Sequence, residues 1–502
     1  MTGARAGEVV RGFLSLEHQG AIFQHKAVKA AFLVIAMALV LAQQGSLLMR
    51  KDSPDPFYRN VLNLGASYQR YFSFFYYFGG FPVNLDGLKT STLDDATATL
   101  ANQGPKLRTD LNVYNRASVF LFYPETWLRG RPDTAEMRTG MAVWFTTGLL
   151  AVVVALWYAG MPLLGLVVAL LCGSNPFQIY EIYHMGSSTI FPMVISTGLV
   201  GTALSIVLIH QSSVTRPRLA IVLLAVAGAV CALQYEIRLE GVGVFFGAAV
   251  ALALLSAYSP RRRLAYLFLF AISVVGVSKT MDAYFNAKLV AADRIVEQYG
   301  GTPAKTSNAY YSTQWWALWS GLGDFDEKYG FLVDDRAGIS YHYGHDTTVD
   351  FETSMRKDYL RIAANDPLWW LGIVADRLKR VTIDNTPYRL GYGTWHTDLP
   401  VNSRIVTALG IVVLIAAVWT WHTTALALFV LPLSIGLVSI GQLADYGLQF
   451  YCIIHLFALA YVACIALDGL LAILLAAGRS VGLLVPAASL AKLARPVTSD
   501  QA

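Results

Sequence analysis

The sequence predicts an all-α polytopic membrane protein: about ten transmembrane helices, with two long external loops carrying interfacial helices. Three observations lead there. Hydrophobic residues fill 55% of the 502 positions and charged residues 14%, with mean hydropathy +0.48, whereas ordinary soluble domains are about 25% charged. Apolar runs recur along the chain, most near the roughly 20 residues a helix needs to cross hydrocarbon. Basic residues gather in the short links between alternate runs, as they do in cytoplasmic loops.

Residues 1–27 form a mixed, basic N-terminal tail, too long before its apolar run for an ordinary signal peptide, so the run at 28–48 is expected to stay as the first transmembrane helix. A first external loop follows at 49–139. The transmembrane bundle occupies 140–280, with runs at 140–159, 161–176, 189–210, 218–235, 241–258 and 264–280. A second external loop covers 281–403. The C-terminal transmembrane helices lie within 404–474, at 404–421, 423–441 and 448–474, before a cytoplasmic tail at 475–502.

The run at 161–176 is short enough to be re-entrant, and its crossing sets the side of everything after it. With a cytoplasmic N-terminus, ten crossings put Arg216, Arg218, Arg261, Arg262, Arg263, Arg479, Lys492 and Arg495 inside. The short external turns then carry only Arg238. Were 161–176 not to cross, the triple arginine would face outward, against the positive-inside rule. Nearly all the chemically varied sequence falls on the outer side: both long loops and the turns 174–188, 236–240 and 442–447. A site at the outer membrane boundary is the expectation.

Several function classes recede. Cys172, Cys231, Cys452 and Cys464 all lie in apolar runs, so cysteine gives no disulfide framework. No G-x-x-x-x-G-K-[ST] loop suggests nucleotide hydrolysis. The spans hold little charge: Lys279 and Asp468 near span ends, His455 well inside. Ion-coupled transport usually needs acids or bases at mid-membrane, so the transporter reading loses weight.

Two stretches suit the bilayer surface. YQRYFSFFYYFGGF, at 68–81, holds nine aromatics, the residues that favour the interface; an aromatic core inside the loop is the alternative. In NDPLWWLGIVADRLKRVTI, Asn365 or Asp366 can cap a helix that opens on Pro367. Its late cations, Arg377, Lys379 and Arg380, suit the helix dipole, and either hold lipid phosphate or snorkel to headgroups.

Candidate chemistry starts at Asp52 and Asp55, directly after the first run. A carboxylate partly desolvated at the interface can act as a general base, although S-P-D-P is equally a turn sequence. Asp55 is preferred, because Pro56 constrains the backbone before the helical-looking FYRNVLNLG. EIRLE places Glu236 and Glu240 four apart, with Arg238 between them as a phosphate fork or as part of a charged turn. Glu181 and His184 show E-x-x-H spacing without a second such motif, so they are taken as cleft-lining. His342, His345 and Asp346, with Asp324, Asp326, Asp334 and Asp335, have metal-ligand chemistry but fit solvated loop acids as well. Trp315, Trp316 and Trp319 suit either sugar faces or a protein core.

The layout resembles the GT-C class of membrane glycosyltransferases: a short tail, one span, a long outer loop, a bundle, then further outer sequence. The acids after the first span, the EIRLEG turn and YLRIAANDPLWWLGIVADRLKR are similar to segments of that class. Many members carry adjacent acids in the first loop, whereas Asp52 and Asp55 are three apart, and the adjacent pair Asp94-Asp95 lies farther on. The resemblance implies a polyprenyl-phosphate-linked sugar as donor and a glycan or lipid hydroxyl as acceptor. It implies Asp55 or Asp52 as catalytic base, and Arg238, Arg377 and Arg380 as donor-phosphate ligands. No cofactor is required and a divalent metal is optional. Membrane lipids, and no nucleic acid, are the other partners. It implies a bacterial inner membrane, with the site facing the periplasm or exterior. The alternatives are a lipid-linked glycan polymerase or ligase, whose R-x10-G pattern occurs from Arg361 to Gly372, and a non-catalytic transporter or scaffold.

Overall fold

The computed structural model describes residues 3–16, 25–48, 93–107, 137–173, 191–212, 217–237, 258–303, 351–379, 389–392, 395–422 and 448–480, together with 318, 319, 322, 328, 425, 426 and 428. Helices dominate. They are α1 Gly3–Ser15, α2 Lys26–Leu48, α3 Leu93–Gln103, α4 Met137–Tyr158, α5 Pro162–Gly173, α6 Phe191–Ser212, α7 Pro217–Ile237 and α8 Pro260–Gln298. After these come α9 Phe351–Asn365, α10 Pro367–Lys379, α11 Ser403–Thr420 and α12 Leu448–Ser480. The all-helical expectation is corrected at one place. Arg389–Tyr392 (β1) and Trp395–Asp398 (β2) pair antiparallel, with Tyr392 opposite Trp395. Aromatic residues facing one another across strands favour that pairing over a helical turn.

Eight of the ten predicted runs fall on helices, because an apolar stretch in lipid must satisfy its backbone within itself. The runs 241–258 and 423–441 lie almost wholly outside the described residues. Three described helices are long and apolar enough to cross a membrane: Lys26–Gly45, Pro260–Gln298 and Leu456–Leu474. The apolar stretches of α4, α5, α6, α7 and α11 are shorter. With 12 residues, α5 is about 18 Å long, well under a hydrocarbon thickness of about 30 Å.

The inner packing centres on α5. Leu164, Val168, Ala169, Leu171 and Cys172 are buried there, and α2, α4 and α12 pack around the helix. The α4–α5 turn is closed by Gly160 at φ 84° and by the Met161 N–H donating to Leu156 O at 2.8 Å, a left-handed helix end that glycine adopts without Cβ strain. Helices approach closely at small residues, as they do where lipid supplies no hydrophobic drive between them. A Cβ added to Gly148 on α4 would lie 2.7 Å from Ser196 Cα on α6, and one added to Gly228 on α7 would lie 2.7 Å from Ser273 Cβ on α8.

Specific contacts give the helix directions. Trp157 Nε1 donates to Lys29 O at 3.0 Å, so the end of α4 meets the start of α2. Farther along, Gly173 lies against both Leu149 of α4 and Val40 of α2. α2 and α4 are therefore antiparallel. Ser196 Oγ donates to Trp144 O near the starts of α6 and α4, and Tyr158 meets His210 edge-on at 5.2 Å near their ends. That makes α4 and α6 parallel. α7 packs on α6 after a link of only residues 213–216, so it returns antiparallel to α6. It follows that α2 and α7 run in the same direction, and both finish at one end of the bundle. Lys26, Lys29 and Arg218 lie at the opposite end.

α8 is about 58 Å long, so its 25 residues past Ser273 extend far beyond its contact with α7. On that outer portion Phe285, Ala292 and Val296 are buried. The segment 93–107 attaches there: Thr302 N donates to Leu107 O at 2.8 Å, and Leu100 and Leu107 are completely buried. A piece of the first long loop is thus packed on a piece of the second.

The N-terminal tail is tied down as well. α1 packs on α11 and α12. Leu14 and Leu16 are buried, Arg11 Nη2 donates to Thr420 O at 3.0 Å, and Tyr461 Oη donates to Leu14 O at 2.5 Å.

Candidate functional site

Asp52, Asp55, Glu181, His184, Arg238, Glu240 and Arg380 lie outside the described residues, as do His342, His345 and Asp346. Glu236 falls in the last turn of α7 and Arg377 in the last turn of α10; for both, only the backbone is described. What the fold relates is the helices from which these residues emerge. The segment carrying Asp52 and Asp55 follows α2, and the segment carrying Arg238 follows α7. Both leave the bundle at the same end.

At that end α2 buries two amides, Gln43 and Gln44, at 7% and 3% exposure. Neither Gln44 Oε1 nor Nε2 has a hydrogen-bond partner. Val40, one turn before Gln44, lies against the end of α5 at Gly173. An amide kept from water without a partner costs about 1–3 kcal/mol. Sequence reading passes over Gln44 because two adjacent glutamines near the end of an apolar run read as its polar border, and burial without pairing is invisible in composition.

The second long loop holds a separate small core of Trp319, Leu322, Met355 and Ile362, backed by Tyr359, Trp369 and Trp370. The expected cap is realised at Asp366 rather than Asn365. Asp366 Oδ1 accepts from Trp369 N at 3.4 Å, and Oδ2 pairs with Lys328 Nζ. Trp370 Nε1 donates to Tyr359 Oη at 2.7 Å, joining α10 to α9. Trp319 therefore serves this core. Among the described residues no group of three His, Cys, Asp or Glu side chains is placed to hold a metal ion.

Near the end of its apolar run, Asp468 on α12 is fully buried, one turn beyond the buried Cys464.

His422 links α1 to the chain leaving α11. Ala425 N donates to its Nδ1 at 3.2 Å, so the neutral ring carries its proton on Nε2 and donates to Ser15 Oγ at 3.1 Å. Burial first, and the Arg11 guanidinium second, push this imidazole down to about 4.

No family model, curated protein or solved structure matches the chain.

Proposed function

We propose that the chain is a membrane glycosyltransferase of the GT-C kind, moving a sugar from a polyprenyl phosphate to a glycan or lipid hydroxyl on the non-cytoplasmic face. In this reading the chain crosses a bacterial inner membrane ten times with its N-terminus inside. Asp55, or Asp52, takes the proton of the acceptor hydroxyl. The hydroxyl oxygen attacks the anomeric carbon and the bond to the phosphate oxygen breaks, inverting that centre and releasing polyprenyl phosphate. Arg238, with Arg377 and Arg380, stabilises the charge that grows on the leaving phosphate. Glu181, His184, Glu236 and Glu240 line the cleft.

The observation that supports this reading is the shared exit of α2 and α7. Chain ends that leave a bundle together can bring an acid and an arginine to one hollow, although 182 residues separate Asp55 from Arg238. The test is substitution of Asp52 and Asp55 by asparagine, singly and together, with outer-face glycolipids assayed at matched protein levels. Lost product supports the reading; unchanged product in all three variants removes the proposed base. A labelled polyprenyl-phosphate monosaccharide separates the transferase, which consumes it, from a polymerase or ligase, which ignores it.

A second reading, ion-coupled transport, draws on Asp468, since an acid buried in a membrane helix is commonly part of an ion path. Under that reading Asp468→Asn abolishes coupled uptake while the Asp52 and Asp55 variants stay active.

A further inference from the structure

We infer that α10 is a membrane-docking helix whose outward face rests in the lipid interface beside the bundle. The inference stands on geometry and does not rely on the transferase reading. α10 has two unlike faces. One side carries Trp369 and Trp370, which pack against the small core of Trp319, Met355 and Ile362, together with the buried Ile373. The other side is exposed and apolar: Leu368 is 82% exposed and Leu371 51%, with Gly372 and Ala375 also exposed. A Cβ added to Gly372 would meet nothing within 4 Å, so no described element approaches the helix at that point. Positions 368, 371, 372 and 375 share a single helix face, and exposed Lys379 continues it at the C-terminal end.

The partner helix shows what a water-facing surface looks like in the same unit. α9 exposes Arg356, Lys357 and Arg361, with Leu360 as its large apolar exception. The pair thus has a charged side and a greasy side. Lipid is the occupant that fits the greasy side. Two leucines and an alanine fall far short of the ~800 Å² that each partner of a stable protein complex buries. A shallow interfacial helix needs only such a stripe ending in a cation. The same chain also enters apolar α11 at Ser403 soon after Lys379, and the preceding α8 carries a membrane-length apolar stretch. Tethering between two membrane helices makes docking effectively intramolecular, so weak contact suffices.

The experiment uses the full chain reconstituted in vesicles of phosphatidylcholine and phosphatidylglycerol, with an environment-sensitive fluorophore on Leu368→Cys, Leu371→Cys or Lys357→Cys, and the unsubstituted chain as labelling blank. Both leucines are exposed, so neither replacement opens the core. The expected result is blue-shifted emission at 368 and 371, quenched by brominated lipid tails at least about twofold more than at 357. Emission at 368 and 371 equal to that at 357 overturns the inference. So does a blue shift without bromolipid quenching, which would assign the face to a second copy or another protein. Because no sugar transfer is measured, failure here leaves the transferase reading to its own test.

Discussion

His422 is held neutral first by burial and then by the Arg11 guanidinium, which discourages a proton on the ring. Its pKa falls from 6.5 to about 4 on folding, so the unfolded chain binds the extra proton between those values. Stability is complete above about pH 6.5 and drains away as the pH falls toward 4, by at most about 3 kcal/mol. Thermal unfolding in detergent across that range is expected to show the slope in the natural chain and a flatter profile in His422→Gln; equal slopes would exonerate the imidazole. Gln44 makes the converse case. Since its amide is buried and unpartnered, Gln44→Leu keeps the volume roughly constant and is expected to raise the unfolding midpoint, by about 1–3 kcal/mol of stability. A lower midpoint would mean the amide has a partner in the membrane-embedded protein. Neither residue stands out in the sequence. Histidine and glutamine become informative only when the fold dictates which groups face them, and the same holds for Asp468, whose position near a span end concealed its full burial.

At the level of elements, hydropathy foretold the helices better than their ends. Apolar runs register because lipid forbids unpaired backbone. The prolongation of α8 to Gln298 was missed because hydropathy reports the solvent preferred by side chains: past Lys279 the helix leaves apolar sequence, yet keeps alanine-rich helix formers. α1 and α3 were missed because they are short and not strongly apolar. Glycine roles were not legible either, since three helix glycines look alike in sequence and differ only in what faces them. A Cβ at Gly148 or Gly228 collides with a neighbouring helix, whereas one at Gly276 meets nothing within 4 Å. Gly148→Ala and Gly228→Ala are expected to cost about 1–3 kcal/mol each through forced separation of packed helices. Gly276→Ala should stabilise by roughly 0.5–1 kcal/mol through helix propensity. Melting midpoints of the three variants decide the matter: a uniform response would show that helix propensity, rather than close approach, controls these positions.

For the whole molecule, the reach of the sequence argument depends on sidedness. Alternation of basic links leads to the expectation that residues 49–139 and 281–403 share one face, and the contacts of Gly104 and Leu107 with Tyr299, Gly301 and Thr302 at the far end of α8 join parts of those two loops. Such packing needs both segments on the same side of any bilayer, which an odd number of crossings between residues 107 and 281 would forbid. Exposed Asp94 and Glu297 report on this joint, and exposed Arg262 reports on the basic start of α8. In cells producing the full chain with Asp94→Cys, Glu297→Cys or Arg262→Cys, a membrane-impermeant maleimide is expected to label 94 and 297 from outside. Position 262 should react only after permeabilisation, with the unsubstituted chain as blank. Labelling of 94 and 297 from opposite sides would break the joint between the loops. Labelling of 262 from outside, with 297 reached only after permeabilisation, would mean an odd number of crossings before α8, as when α5 is a re-entrant half-helix instead of a crossing. The proposed base and phosphate ligand would be affected unequally by that outcome: Asp55 follows α2, before α5, while Arg238 follows α7, after it. The parallel course of α2 and α7 argues against such a split, since two helices that start at one end of a bundle and finish at the other deliver their following residues to the same face.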